Sequence, residues 1–182
     1  MKKIIDINNI SHTFDDGYMG INNISLSIFK GEFIILAGKN GSGKTTFLRH
    51  LNGLLLPDAG HLIVNGQDVK KHLVQTRRTI GMVFQDADTQ IVGDTVFDEV
   101  AFGLENLKIK RTQINEKVTQ VLEDLNLFHL KDRNPHSLSG GEKRKLTIAG
   151  ILVMDPQVIV FDEPFSNLDY PGTIQVLTTI ID

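Results

Sequence analysis

Phe33-Ile34-Ile35-Leu36-Ala37-Gly38-Lys39-Asn40-Gly41-Ser42-Gly43-Lys44-Thr45-Thr46-Phe47-Leu48-Arg49-His50-Leu51 is the stretch whose reading decides the fold. An apolar run, a glycine-rich turn and a helix-like segment follow one another, which is the setting a phosphate-binding loop needs. Gly38, Gly41 and Gly43 let the backbone turn tightly and aim its N–H groups at an anion. With Lys39, Asn40, Ser42 and Thr46 they form the expected cradle. The following helix adds its unpaired N-terminal donors and the positive end of its dipole. Lys44 is expected to reach the distal phosphates, and the Thr45 hydroxyl to hold a divalent cation. A plain strand-to-helix turn has no need of a lysine and a hydroxyl at those two positions.

Composition narrows what such a loop can serve. The 182 residues suffice for one domain with a sizeable core. A net charge of −3 gives no electrostatic case for nucleic acid as the main partner. There are no cysteines, so disulfides and thiolate metal sites are excluded. Met1-Lys2-Lys3-Ile4-Ile5-Asp6 turns polar too early for a signal peptide. No apolar run approaches the roughly 18 residues of a membrane span. The expectation is a soluble protein whose dealings with a membrane go through another chain.

Upstream of the loop, Ile5, Ile7 and Ile10 lie among polar neighbours, and Ile24, Leu26 and Ile28 alternate with polar residues. Around the turn Asp15-Asp16-Gly17 these predict a small antiparallel sheet, joined by His61–Val64 ahead of the Asn65-Gly66 turn. Phe33–Ala37 is expected as a buried strand, and Gly53 as the cap that ends the loop's helix. A second short strand, Ile80–Phe84, runs into Gln85. From there the period becomes helical: Phe97, Val100, Ala101, Leu104 and Leu107 on one helix with Asp94 as candidate cap, then Ile114, Val118, Val121, Leu122 and Leu125 on another. Residues 86–137 therefore read as a helical insertion in an α/β domain. A helix over about 139–154, a strand at Gln157–Phe161 and a last helix with Pro171 in its first turn complete the chain. His50, His61, His72, His129 and His136 read as surface or loop residues.

Val158-Ile159-Val160-Phe161-Asp162-Glu163 places two carboxylates at the C-terminal end of an apolar strand, the edge at which open α/β sheets bind ligands. Asp162 suits a Mg²⁺ ion and its waters, and Glu163 suits positioning or deprotonating an attacking water. Leu138-Ser139-Gly140-Gly141-Glu142 reads first as a capping box, Ser139 with Glu142 three residues on. A cap does not require two glycines. Gly140 and Gly141 bare the N–H groups of a first helical turn, where an anion can sit.

GKNGSGKTT, Gln85, LSGGE, VIVFDEP and Ser166-Asn167-Leu168-Asp169 stand in the order found in nucleotide-binding domains of ABC transporters, which the chain resembles along essentially its whole length. The resemblance implies an α/β fold: a phosphate-loop NTPase core with a mainly parallel sheet, a small N-terminal antiparallel β subdomain and a helical subdomain at about 86–153. It implies ATP and Mg²⁺ as ligands, with Thr45, Gln85 and Asp162 on the metal and Glu163, Lys44 and Gln85 as the catalytic set. It also implies head-to-tail pairing, as a homodimer or with a paralogue, so that Ser139, Gly140 and Gly141 serve the neighbouring subunit's ATP. The stretch from Phe84 to Asn106 is similar to energy-coupling-factor and cobalt/nickel importer ATPases. That narrower likeness implies an integral membrane coupling subunit, a substrate-binding membrane subunit and a peripheral place on the cytoplasmic face of the membrane.

The sequence departs from the family pattern at four points. Glu142 stands where Gln is commoner, and its charge is harmless if the capping box holds it. Lys145 replaces an Arg and loses a planar fork. Phe14 takes the place of an adenine-stacking Tyr, with Tyr18 as a second candidate. Finally, the chain stops at Asp182, before the further strands and the switch histidine of a complete family domain. The expectation is a domain incomplete at its C-terminus, with some apolar sheet edge exposed. The rival readings are nucleotide binding without useful turnover and, more remotely, a soluble LSGG ATPase acting on DNA or ribosomes.

Overall fold

The isoleucine-rich N-terminus forms a sheet because its apolar residues recur at strand spacing. In the computed structural model, which describes residues 1–181, β1 (Lys3–Thr13) is central, flanked by β2 (Met19–Phe29) and β3 (Ala59–Val64). Both pairings are antiparallel, with Ile5 opposite Ile28 on one side and Val64 on the other. Ile5, Ile7, Ile10, Leu62 and Val64 are buried, each contributing about 1.5–3 kcal/mol relative to exposure. On β2 the expected alternation is only half covered, because Leu26 stays exposed while Ile21 is buried. Asn65 and Gly66 both take positive φ, +47° and +81°, and fold β3 onto the two-residue β4 (Gln67–Asp68), as the twist of a two-residue hairpin requires. The sheet belongs to the first of two compact units, Met1–Ile80.

The same unit carries α1 (Lys44–Leu51) and α2 (Leu73–Thr79). Gly53 ends α1 at φ +70°, its N–H donating to the carbonyl of His50. Two expectations fail here. Residues 33–37 form no strand, and Phe33, Ile34, Ile35 and Leu36 are exposed. Apolar character does not make a strand by itself; a strand needs a neighbour to receive its N–H and C=O groups, and residues 33–37 pair with no strand among the described residues. His50 is not a surface residue but fully buried, because α1 turns Phe47, His50 and Leu51 to its inner face at i, i+3, i+4 spacing.

The second unit, from Gly81 onward, is mainly helical. β5 (Ile80–Val83) pairs with β6 (Val158–Phe161) in a parallel two-stranded sheet. Between them run α3 (Val96–Asn106), α4 (Arg111–Asp124) and α5 (Gly140–Leu152), and α6 (Tyr170–Ile181) follows β6. Most of the expected helical stripes pack as a core: Val100, Ala101, Leu104, Ile114, Val118 and Leu122, with Val96 besides, join Leu146, Ala149 and Val153 of the α5 region, while Phe97, Val121 and Leu125 are partly buried against it. Val83, Ile148 and Val176 nucleate a smaller cluster beside β5. The cap of α3 is Thr95 rather than Asp94. Its hydroxyl accepts from the Asp98 N–H at 3.1 Å and donates to the Asp98 carboxylate at 2.6 Å, so one residue satisfies two groups at the helix start.

Candidate functional site

The glycine-rich loop is shaped by backbone conformations that side chains oppose. Gly41 and Gly43 have φ of +78° and +87°. A Cβ on Gly43 would lie 2.4 Å from the Gly20 carbonyl oxygen, and one on Gly38 would lie 2.8 Å from the Ser42 hydroxyl. These positions need glycine for different reasons, conformation at 41 and space as well as conformation at 43. The Lys44 ammonium donates to the carbonyls of Gly38 (3.0 Å) and Lys39 (3.1 Å) and so bridges the start of the loop from its end. Thr45 and Thr46 lie in the first turn of α1, which carries no side-chain cap. The positive end of the helix dipole lies at this turn, next to the loop.

Beside the loop in the same unit stand two aromatic residues. Phe14 and Tyr18 are stacked at 24° with ring centroids 6.4 Å apart, and the Tyr18 hydroxyl donates to the Gly41 carbonyl at 3.2 Å. The turn Asp15-Asp16-Gly17 brings them together, with Phe14 and Tyr18 closing it through a backbone hydrogen bond. Sequence reasoning ranked Tyr18 below Phe14 and gave it no tie to the loop. The ring of His12 packs crosswise against Phe14 and His50, with centroids 4.8 and 4.9 Å apart. The Nδ1–H of His50 donates to the Thr46 carbonyl at 2.7 Å, which assigns the proton to that nitrogen. Burial holds this imidazole below its ordinary 6.5, against the opposing pull of the Thr46 carbonyl. Nothing in the sequence distinguished His50; its helix period beside Phe47 was the available signal.

In the second unit the carboxylates follow β6 as expected. Asp162 is buried, and its N–H donates to the Val83 carbonyl, continuing the pairing of β5 with β6 by one residue. Glu163 turns outward with φ +47°. For a non-glycine residue before proline this conformation is strained by about 1–3 kcal/mol, and it lifts the carboxylate out of the strand line. The Gln85 side-chain amide donates to Glu163 Oε2 at 2.9 Å. Gln85 and Glu163, 78 positions apart, thus meet because β5 and β6 are neighbours. Ser166 donates to the Gln85 carbonyl at 3.3 Å, tying the Ser166–Asp169 loop to the same point.

The LSGGE element is a complete capping box. The Ser139 N–H and hydroxyl both donate to Glu142 Oε2, at 2.8 and 2.7 Å, and the Glu142 N–H returns to the hydroxyl at 3.4 Å. These bonds hold the Glu142 carboxyl below the usual range. The glycines have a packing reason of their own: a Cβ on Gly141 would come within 3.0 Å of Gln175 and 3.4 Å of Gly172 on α6. Lys145 donates to the Leu125 carbonyl at 2.6 Å, closing the end of α4. It is the neighbouring Arg144 that makes a two-pronged contact, with the carbonyls of Phe84 and Gln85. Sequence reasoning passed over Arg144.

Comparison with known proteins places the whole chain in a family. The family model described as ABC transporter matches residues 21–166. The chain is 43% identical over 185 residues to the energy-coupling factor transporter ATP-binding protein EcfA1 of Clostridioides difficile, covering 99% of this chain and 67% of that protein. It is 43% identical to the EcfA1 of Enterococcus faecalis, covering 99% and 66%. Among solved structures, cbiO1 from Clostridium perfringens, part of the ABC transporter complex cbiONQ, superposes with a TM-score of 0.87 at 33% identity, covering all of this chain and 73% of that one. The chain spans about two thirds of the length of the curated relatives it matches. With a family model over most of its length and relatives 43% identical across nearly all of it, the chain belongs to the ABC transporter family.

Proposed function

We propose that the protein is an ATP-binding and ATP-hydrolysing subunit that energises an uptake transporter of the energy-coupling-factor type, for a vitamin or a transition-metal ion. The observation that supports hydrolysis most is the 2.9 Å hydrogen bond from Gln85 to Glu163. It aims the Gln85 amide at a carboxylate held outward by a strained backbone, and strain of that kind gathers at working sites. In this reading Glu163 positions or deprotonates the attacking water. Gly38–Thr46 and the α1 N-terminus grip the phosphates, Lys44 neutralises them, and Phe14 stacks on the base.

Thr45, Gln85 and Asp162 would hold Mg²⁺. They fit it as an all-oxygen donor set, and Mg²⁺ completes its shell with waters and substrate phosphates instead of a protein cage. When bound, the ion supplies charge stabilisation at the transferring phosphoryl group. Ser139, Gly140 and Gly141 would meet the ATP of a second copy or a paralogue.

The names of the relatives support membrane partners: EcfA1 is a transporter ATP-binding protein, and cbiO1 is part of a transporter complex. Among the described residues no helix is long and apolar enough to cross a membrane, so the link to the bilayer would be an integral membrane coupling subunit, with a separate substrate-binding membrane subunit. The expected place is the cytoplasmic face of the membrane, with no role for nucleic acid. Purification of the full-length protein from membranes tests this. Co-purification with an integral coupling subunit is the expected result; recovery only from the soluble fraction, with no such partner, would contradict the transporter reading.

A further inference from the structure

The guanidinium of Arg144 is buried on α5, two turns from the start of the LSGGE helix at most. Its Nη1 donates to the Phe84 carbonyl and its Nη2 to the Gln85 carbonyl, while Nε has no partner among the described residues. Burial works against its charge and only Asp86 supports it. A buried cation without a carboxylate contact is a poor way to stabilise a fold. An apolar side chain would fill the same space at lower cost. What the guanidinium does, and an apolar group cannot, is fix two successive carbonyls with one rigid plane.

Those carbonyls belong to the residues that leave β5. Gln85 carries its side chain onto Glu163, and its own carbonyl receives both Arg144 and Ser166. The residue before Arg144 reinforces the hold, since Lys143 pairs with Asp88 at 2.7 Å. Two consecutive residues of α5 thus grip the segment 84–88, and the end of that grip is the Gln85–Glu163 hydrogen bond.

We propose that Arg144 is a positioning residue for hydrolysis: by clamping the Phe84 and Gln85 carbonyls it holds the Gln85 amide on Glu163, and so ties the LSGGE helix to the carboxylate that acts on water. This rests on the ATPase reading above. Lysine at 144 keeps the charge but has no rigid planar fork to hold two successive carbonyls in fixed directions, and Gln85 then loses its fixed direction.

The test is a double-mutant cycle in the full-length protein, with ATPase kinetics and hydrogen exchange of the 84–88 amides. Arg144→Lys is expected to lower kcat about ten- to a hundredfold, the scale of an ångström-level misplacement, with KM for ATP changed less than about twofold. In a Gln85→Ala background the same substitution is expected to change kcat less than about twofold, because the two residues act as one unit. Exchange at 84–88 should quicken in Arg144→Lys and not in Lys145→Arg. An equal loss of kcat in both backgrounds, or a loss matched by a rise in KM, would overturn the role and mark Arg144 as merely structural. Unchanged exchange at 84–88 would overturn the clamp itself. Absence of any Glu163-dependent hydrolysis in the parent would instead overturn the ATPase reading, and this role with it.

Discussion

Two apolar runs lead into the two groups of candidate residues, and they end up differently. Val158–Phe161 becomes β6, pairs with β5, and buries Val160. Phe33–Ala37 looks at least as strand-like, yet it forms no strand and lies exposed, with Ile35 at 79% of its full accessibility. The difference is the neighbour: β6 has β5 to exchange hydrogen bonds with. The residues that follow differ in the same sense. After β6, Glu163 is wired by side chains to Gln85, and Gln85 to Arg144 and Ser166. After residue 37, the loop is held by glycine conformations and by Lys44 folding back on its carbonyls. The loop takes its shape chiefly from its own backbone, whereas the carboxylate after β6 takes its place from side chains distant in sequence.

The largest effect should come from the loop. Lys44→Ala is expected to weaken ATP binding at least about a hundredfold, since a charge-assisted contact to the phosphates is lost. Titration calorimetry measures this, and unchanged affinity would sink the phosphate-loop assignment. The two runs themselves come next. Val160→Ala should destabilise the chain by about 1–3 kcal/mol, whereas Ile35→Ala should stay within roughly 0.5 kcal/mol. Equal costs in urea unfolding would show that residues 33–37 pack as a strand in solution, and the contrast between the runs would fall.

A smaller effect is expected at the LSGGE helix. Ser139→Ala removes the reciprocal cap and should cost about 1 kcal/mol. Because the folded state holds the Glu142 carboxyl below its ordinary 4.5, that contribution is present above this value and fades as the pH falls through and below it. The smallest is at His50. Its folded value lies below the ordinary 6.5, so the unfolded chain binds the proton first. Stability is full above 6.5 and declines as the pH drops below it. His50→Gln should flatten that part of the stability profile, and an unaltered slope would clear His50 of the role.

What could be read from the sequence was what is local. The loop spacing, the capping box at Ser139 and Glu142, and the apolar strand ending in Asp162-Glu163 each declare themselves within about ten residues. The helical stripes of α3 and α4 did so as well, because period alone decides which side is buried. What escaped depends on distant neighbours. Phe33–Ala37 reads as a strand until one asks what it pairs with. Asp94 and Thr95 are both good caps, and only the path of the chain selects Thr95. Lys145 drew notice as a replaced arginine, whereas the fork belongs to Arg144, whose two carbonyls lie about sixty positions upstream. His50 is buried because of how α1 lies on its own unit, which no motif records.

ATP hydrolysis through Glu163 is the activity proposed for this chain. The most direct measurement is the steady-state ATPase rate of the full-length protein beside its Glu163→Gln variant, at saturating ATP and Mg²⁺. A fall of at least about a hundredfold with ATP binding retained is the predicted result. Equal rates in the two proteins would contradict it.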